Sequence, residues 1–265
     1  LVGSQKTQER KEQLSLIKTG KAQVVIGTHA LFQENVSFDN LALVVIDEQH
    51  KFGVHQRLAL AQKANMTPHQ LVMTATPIPR SLTMTAYADL DSSIIDELPP
   101  GRQKIETVAL SNLRRDELIT KIKKISQVGR QIYWVCTLIE ESEALRAESA
   151  EKTFTYLSDN LEDEKVVMIH GRLNKSEKET IMQDFSNGKI DLLVATTVIE
   201  VGVNVPNASL MVVENAERLG LAQLHQLRGR VGRGAEKSVC ILMYQSPLSE
   251  TAKQRLDILR QSNDG

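Results

Sequence analysis

The sequence predicts an α/β protein of two lobes, each built on a mostly parallel sheet flanked by helices. Three observations carry that reading. Short Val- and Ile-rich runs recur along the 265 residues. Charged stretches of helical period alternate with them. One Pro-Pro-Gly interrupts the alternation near the first third of the chain.

In chain order, a helix is expected over 8–19, where apolar residues fall at three- and four-residue spacing. Val24–Ile26, Leu43–Ile46 and Leu71–Met73 then read as strands. Their apolar positions run on rather than alternate, the pattern of strands buried on both faces in a parallel sheet. Leu98-Pro99-Pro100-Gly101-Arg102 marks a joint, because two prolines fix the backbone and the glycine loosens it. Beyond it, strands are expected at Ile132–Val135, Val166–Ile169, Leu192–Val194, Leu210–Val213 and Val239–Leu242. Helices fall between and after them, over 113–127, 140–159, 175–187 and 248–262. Strands alternating with helices argue βαβ units. The expected divisions are a first lobe at 1–98, a hinge at 99–105, a second lobe at 106–245 and a C-terminal helix within 246–265 that leads into further sequence.

Composition narrows the class. The chain is 41% hydrophobic and 25% charged, ordinary globular usage. No apolar run approaches the roughly 18–20 residues of a membrane span, so no membrane partner is expected. The two cysteines, Cys136 and Cys240, lie in separate apolar runs, which is neither a disulfide framework nor a zinc pattern. A reducing, cytoplasmic setting fits. Net charge is −1, so any nucleic acid must be held by a local groove. Aromatics at 4% argue against a base-stacking platform. The chain opens on Leu1 rather than Met, and a segment of a longer protein is expected.

Three motifs carry chemistry. Val44-Val45-Ile46 runs into Asp47-Glu48-Gln49-His50. Ligands of open α/β sheets bind beyond the carboxyl ends of strands. Two acids there suit a phosphate-metal site, one holding Mg²⁺ and the other activating water. Leu71-Val72-Met73 ends in Thr74-Ala75-Thr76-Pro77, placing hydroxyls at the same edge. Thr76 before Pro77 is also a good helix N-cap. Third, Gln226-Leu227-Arg228-Gly229-Arg230-Val231-Gly232-Arg233-Gly234 holds three arginines and three glycines within 228–234. Arg is the residue of bidentate phosphate contact. At three-residue spacing, Arg230 and Arg233 are expected one helical turn apart, on one side.

Together these motifs resemble the superfamily-2 helicases and translocases. Asp47–His50 matches the DExx box, Thr74–Thr76 motif III, and Gln226–Arg233 motif VI. Gly27-Thr28-His29 matches motif Ib, and Ala195-Thr196-Thr197-Val198-Ile199-Glu200-Val201-Gly202 matches motif V. Phe52–Arg57, Met73–Arg80, Tyr87–Leu90 and Asp96–Arg102 narrow the likeness to helicases that remodel branched DNA. Translocases of transcription-coupled repair are the runner-up.

The resemblance implies two RecA-like lobes with ATP bound in the cleft between them and a motor acting on branched duplex DNA such as replication forks and Holliday junctions. It implies that Asp47 holds Mg²⁺ with the nucleotide and that Glu48 polarises the attacking water. Gln226, Arg230 and Arg233 reach the phosphates, the arginines as fingers. Gln49, His50, Thr74, Thr76, Gly202 and Asn204 belong to the nucleotide side. Thr28, His29, Thr196 and Thr197 lie nearer the DNA backbone, where contacts position without reading bases.

Two departures stand out. None of the 14 glycines begins a G-x-x-x-x-G-K-[ST] phosphate loop. The first lobe is therefore expected to be incomplete and the isolated chain inactive, with the parent protein an ATP-hydrolysing helicase and a monomer. A non-catalytic pair of nucleic-acid-binding lobes is the alternative for the chain itself. Second, Asn204 stands where many superfamily members place Asp. Elsewhere the readings are plain: Trp134 belongs to a core, Lys121, Lys123 and Lys124 line a solvated helix face, and His50 with His55 lacks a third metal ligand.

Overall fold

In the computed structural model, the described residues are 1–3, 5–48, 60, 63–64, 66–74, 91–95, 97, 102–137, 143–196, 205–234 and 236–262. The chain divides into two compact units, Leu1–Leu90 and Asp91–Gly265. The division falls earlier than the expected hinge at 99–105. Of that hinge, residues 99–101 lie outside the described residues, and 102–105 carry no regular structure.

The first unit begins with α1 (Thr7–Lys18) and a short 3₁₀ turn at His29–Phe32. Two parallel strands follow, β1 (Leu43–Ile46) and β2 (His69–Val72), in register from Leu43 opposite His69 to Ile46 opposite Val72. Val44 and Ile46 turn inward on Leu60, with Phe32, Phe38 and Leu41 packed beside them. Leu43, Val45 and Leu71 point outward and are 57%, 52% and 52% exposed. The expectation of burial on both faces is therefore corrected here: among the described residues, only one face of this pair is covered. Val24–Ile26 is a second correction. It forms no strand, and Val24 and Ile26 are 80% and 84% exposed. Its neighbours bond to the chain start instead, Thr28 N–H donating to Leu1 O at 3.1 Å.

The second unit holds β3 (Glu106–Ser111), α2 (Arg115–Gln127), β4 (Gln131–Cys136), α3 (Glu143–Asn160), β5 (Val166–Ile169), α4 (Lys175–Ser186) and β6 (Leu192–Thr196). Then come β7 (Ala208–Val213), α5 (Leu221–Arg228), β8 (Val239–Tyr244) and α6 (Glu250–Gln261). The six strands pair in parallel in the order β3-β8-β7-β4-β6-β5.

Parallel strands need cover on both faces, and here they have it. Every residue of β4, β6 and β7 is buried. Alternation along β4 separates two cores. Tyr133 and Val135 pack with Met182 and Phe185 of α4, Leu224 of α5 and Leu256 of α6. Ile132 and Trp134 pack with Leu118 and Ile122 of α2 and Leu157 of α3. Trp134 is fully buried, as its mid-strand place predicts. Local signals set the helix starts. Asn174 accepts from Glu177 N–H at 2.9 Å while Glu177 accepts from Asn174 N–H at 2.8 Å, a reciprocal cap for α4. Ser249 accepts from Ala252 N–H at 3.2 Å and starts α6.

The topology also says where a ligand belongs. After β4 the chain moves to β5 and β6 on one side, then returns to β7 and β8 on the other. Loops diverge at such a reversal, and the crevice opens at the carboxyl ends of the strands. Among the described residues, no helix is long and apolar enough to cross a membrane.

The cysteines test this packing. Both are buried, and burial pushes the Cys136 thiol up to about 11 and the Cys240 thiol up to about 12. Thiolate is the reactive form. Iodoacetamide at pH 8 should leave both unlabelled in the native chain and label both in denaturant, as read by intact-mass spectrometry.

Candidate functional site

The acids lie where the sheet ends. Asp47 follows β1 directly and is exposed; Glu48 is half-buried. Glu48 has φ of +52°, in the left-handed region that non-glycine residues seldom occupy. Its N–H donates to Asp47 Oδ1 at 2.9 Å, so the turn is closed by the acid beside it. Such outliers cluster at functional sites. Met73 N–H donates to Ile46 O at 2.8 Å and extends the β1–β2 ladder to this edge. Exposed Thr74 is thereby carried to the same carboxyl end as the two acids, as the paired motifs imply. Carboxylate and hydroxyl oxygens are a hard-donor set that suits Mg²⁺ and its waters. Gln49, His50 and Thr76 lie outside the described residues.

Thr28 and His29 sit on a loop, both exposed. Gly27 before them is required by space: a Cβ there would stand 2.4 Å from Leu1 O and 2.8 Å from Leu31 Cγ. His29 rests on Phe32, the ring centroids 6.2 Å apart.

In the second unit the arginine motif departs from its expected helical geometry. α5 ends at Arg228, with Gly229 as its C-cap, so Arg230 and Arg233 are not one turn apart on a helix. Gly232 at φ +76° turns the chain between them. Arg230 is half-buried and Arg233 exposed, its Nε donating to Gly229 O at 3.3 Å. Both still act on the same side chain, Tyr133. Burial pushes Tyr133 up to about 12, while the two guanidiniums act to lower it. Gln226 lies half-buried in the last turns of α5. Thr196 is 7% exposed at the end of β6, opposite Cys136 of β4. Thr197, Gly202 and Asn204 lie outside the described residues.

Comparison with known proteins identifies the family. A family model described as DEAD/DEAH box helicase matches residues 1–85, and one for the helicase conserved C-terminal domain matches 115–235. The whole chain aligns with the ATP-dependent DNA helicase RecG of Escherichia coli K12 at 60% identity and with that of Bacillus subtilis 168 at 47%. A solved structure of RecG bound to a three-way DNA junction superposes at a TM-score of 0.74, with 42% identity and all of this chain covered. The chain belongs to the RecG family of helicases. It spans 39% of the length of the E. coli and B. subtilis proteins and 34% of the chain in the junction complex. Mycobacterium smegmatis Lhr, at 18% identity and a TM-score of 0.68, shares the fold.

Three groups in this RecG-family chain were not legible as functional from sequence. Arg115, opening α2, forms an ion pair with buried Glu214 at the end of β7. Its guanidinium lies 5.4 Å from the Trp134 ring centre and 5.2 Å from that of Tyr156. Burial lowers its pKa. Glu214 N–H donates to Val135 O at 2.9 Å, and Thr137 Oγ1 donates to the Glu214 carbonyl and, at 3.2 Å, to Asn215 O. These bonds fix the chain that leads into α5. Arg228, the first arginine of the motif, is 3% exposed, and its Nη1 donates to Leu259 O at 2.9 Å and Ser262 O at 2.6 Å. It anchors the end of α6 and is turned away from any phosphate role. The third group, Lys63, stands among backbone carbonyls in the first unit. Only spacing in three dimensions could reveal any of these.

The arginine loop also leans on the segment after motif V. A Cβ at Gly234 would lie 2.4 Å from Pro206 O. Gly234→Ala should therefore cost about 2 kcal/mol in chemical denaturation, the usual scale for forced backbone shifts. Gly220→Ala, where a Cβ meets nothing closer than 3.8 Å, should be near neutral in the same assay.

Proposed function

We propose that this chain is the greater part of the ATP-driven motor of a helicase that remodels branched DNA. The carrying observation is the carboxyl edge of β1, where Asp47, Glu48 and Thr74 are gathered by the β1–β2 register. The 42% identity to a RecG protein solved on a three-way junction supports the substrate class of replication forks and Holliday junctions. A bacterial cytoplasmic setting accompanies that substrate.

The residues divide the work as follows. Asp47, exposed and unencumbered by the core, binds the Mg²⁺–nucleotide through a carboxylate oxygen. Mg²⁺ when bound neutralises phosphate charge. Glu48 is held half-buried in its left-handed turn, and it takes the proton of the attacking water. Thr74 hydrogen-bonds at the same edge and senses the phosphate. Gln226, Arg230 and Arg233 contact the phosphates, the arginines stabilising charge in phosphoryl transfer. Thr28 and His29 meet the DNA backbone from their exposed loop; Thr196, being buried, is withdrawn from that role, and Thr197 after it is the second contact. Such contacts carry no base specificity, which suits a motor that recognises structure.

The sequence contains no phosphate-cradling loop, so turnover requires residues beyond these 265. The isolated chain should show no ATP turnover with or without fork DNA in a coupled assay. In the longer protein, Glu48→Gln should reduce turnover by at least about 10²-fold, the low end for losing a general base. Nucleotide affinity, measured by fluorescence titration, should be retained. Unchanged turnover would remove Glu48 from the role of base.

A further inference from the structure

We propose that Lys63 is a positioning residue for the DNA-facing loop, its ammonium holding residues 28–36 against β1 through three backbone carbonyls. Lys63 Nζ donates to Val36 O at 2.9 Å, to Leu31 O at 3.4 Å and to Gln33 O. An ammonium has three protons and no acceptor, and these three carbonyls take all of them.

The loop needs such a partner. Its one regular piece is the 3₁₀ turn His29–Phe32, and a turn that short leaves its last carbonyls without internal donors. Besides the bonds internal to the 3₁₀ turn, Leu31 N–H donates to Thr28 O and Val36 N–H to Gln33 O, each at 3.0 Å. The charged bonds from Lys63 bridge both halves of the loop. Arg10 adds a side tie to Gln33 Oε1 at 2.6 Å. Burial lowers the Lys63 pKa while Glu34 acts to raise it, so the ammonium is partly withdrawn from water.

Lys63 is itself fixed from the strand side. Its N–H donates to Leu60 O at 3.2 Å, and Leu60 packs on Val44 and Ile46 of β1. A continuous run of contacts thus joins the strand that ends in Asp47 and Glu48 to the loop that carries Thr28 and His29. The proposal rests on the reading of that loop as a DNA contact. Arginine cannot replace the lysine: its planar fork of donors does not match three carbonyls converging on one point.

The test uses the full-length protein and a synthetic three-way junction. Lys63→Met and Lys63→Arg are compared with wild type, with Thr28→Ala/His29→Ala as reference. Hydrogen exchange is followed in peptides covering 28–36, with 131–136 as the folding control. The junction concentration giving half-maximal ATP turnover is measured alongside. In both Lys63 variants, exchange over 28–36 should accelerate about tenfold, the scale of a lost charged hydrogen bond. The half-saturating junction concentration should rise by about the same factor, with the DNA-saturated rate within about twofold of wild type. Unchanged exchange over 28–36 overturns the clamp. So does a half-saturating concentration that rises in the Thr28/His29 double variant but not in the Lys63 variants. If the double variant itself leaves that concentration unchanged, the DNA-contact reading fails and the proposal falls with it.

Discussion

Parallel pairing dictates where this protein can do chemistry. A parallel strand cannot turn back on its neighbour, so each pair requires a crossover that covers a face of the sheet. With both faces buried, the only open backbone lies at the strand ends. In the second unit this is fully realised: β4, β6 and β7 expose almost nothing along their length. Their carboxyl ends carry Thr137, Thr196 and Glu214 instead, each a polar residue placed at the rim of an apolar strand. In the first unit the same rule delivers Asp47 and Thr74 to one edge, because β1 and β2 run in the same direction in register.

The arginine motif shows how one short run can divide its labour. α5 stops at Arg228, and the glycines that follow change the chain's direction within a few residues. Arg228 is still helical and points into the unit, where two carbonyls at the end of α6 absorb its charge. Arg230 and Arg233 come after the stop and keep access to solvent. Arg255 answers from the other side, its Nη1 donating to Glu217 O at 3.0 Å and Leu219 O at 2.8 Å just before α5. Buried Arg228 and half-buried Arg255 hold α5 and α6 together, so the outward pair is presented from a braced segment. Gly234 against Pro206 sets the far end of that segment.

Strand and helix order in the second unit is legible in the sequence, because hydrophobic burial there is complete and leaves a continuous apolar signature. β3 and α5 are the exceptions: the edge position of β3 leaves Glu106 exposed and the rest only half-buried, which breaks the run, and α5 is only eight residues long, too short to show a helical period. Val24–Ile26 fails in the opposite direction. Its composition is that of a strand, yet no strand lies beside it among the described residues, and propensity without a partner forms no ladder. The acids, Thr74 and the arginines were legible because motif spacing encodes them. Their geometry was not: three-residue spacing suggested a shared helical face for Arg230 and Arg233, and Gly229 and Gly232 override it. Lys63, Arg115 and Glu214 gave no signal, since an isolated charge in sequence looks the same whether it meets water or a buried partner.

The two units are held by different forces, and that difference bears on how each can move. In the second, two apolar cores flank one sheet, and the polar groups within it are bonded at fixed positions. Loosening any part means opening close-packed side chains, which is costly. Among the described residues of the first, the buried apolar clusters are small: Leu1, Ala30 and Val36 in one, Val44, Ile46 and Leu60 in the other. The space between them is bridged by Lys63, with Arg10 reinforcing the loop from α1. Bonds of this kind exchange with water at modest net cost. The loop carrying Thr28 and His29 is thus held largely by polar bonds, while the strand behind it is packed through Val44 and Ile46. In the second unit Arg230 and Arg233 follow a helix that packed side chains and the bonds of Arg228 and Arg255 hold in place, so their backbone is set by a close-packed core rather than by exchangeable polar ties.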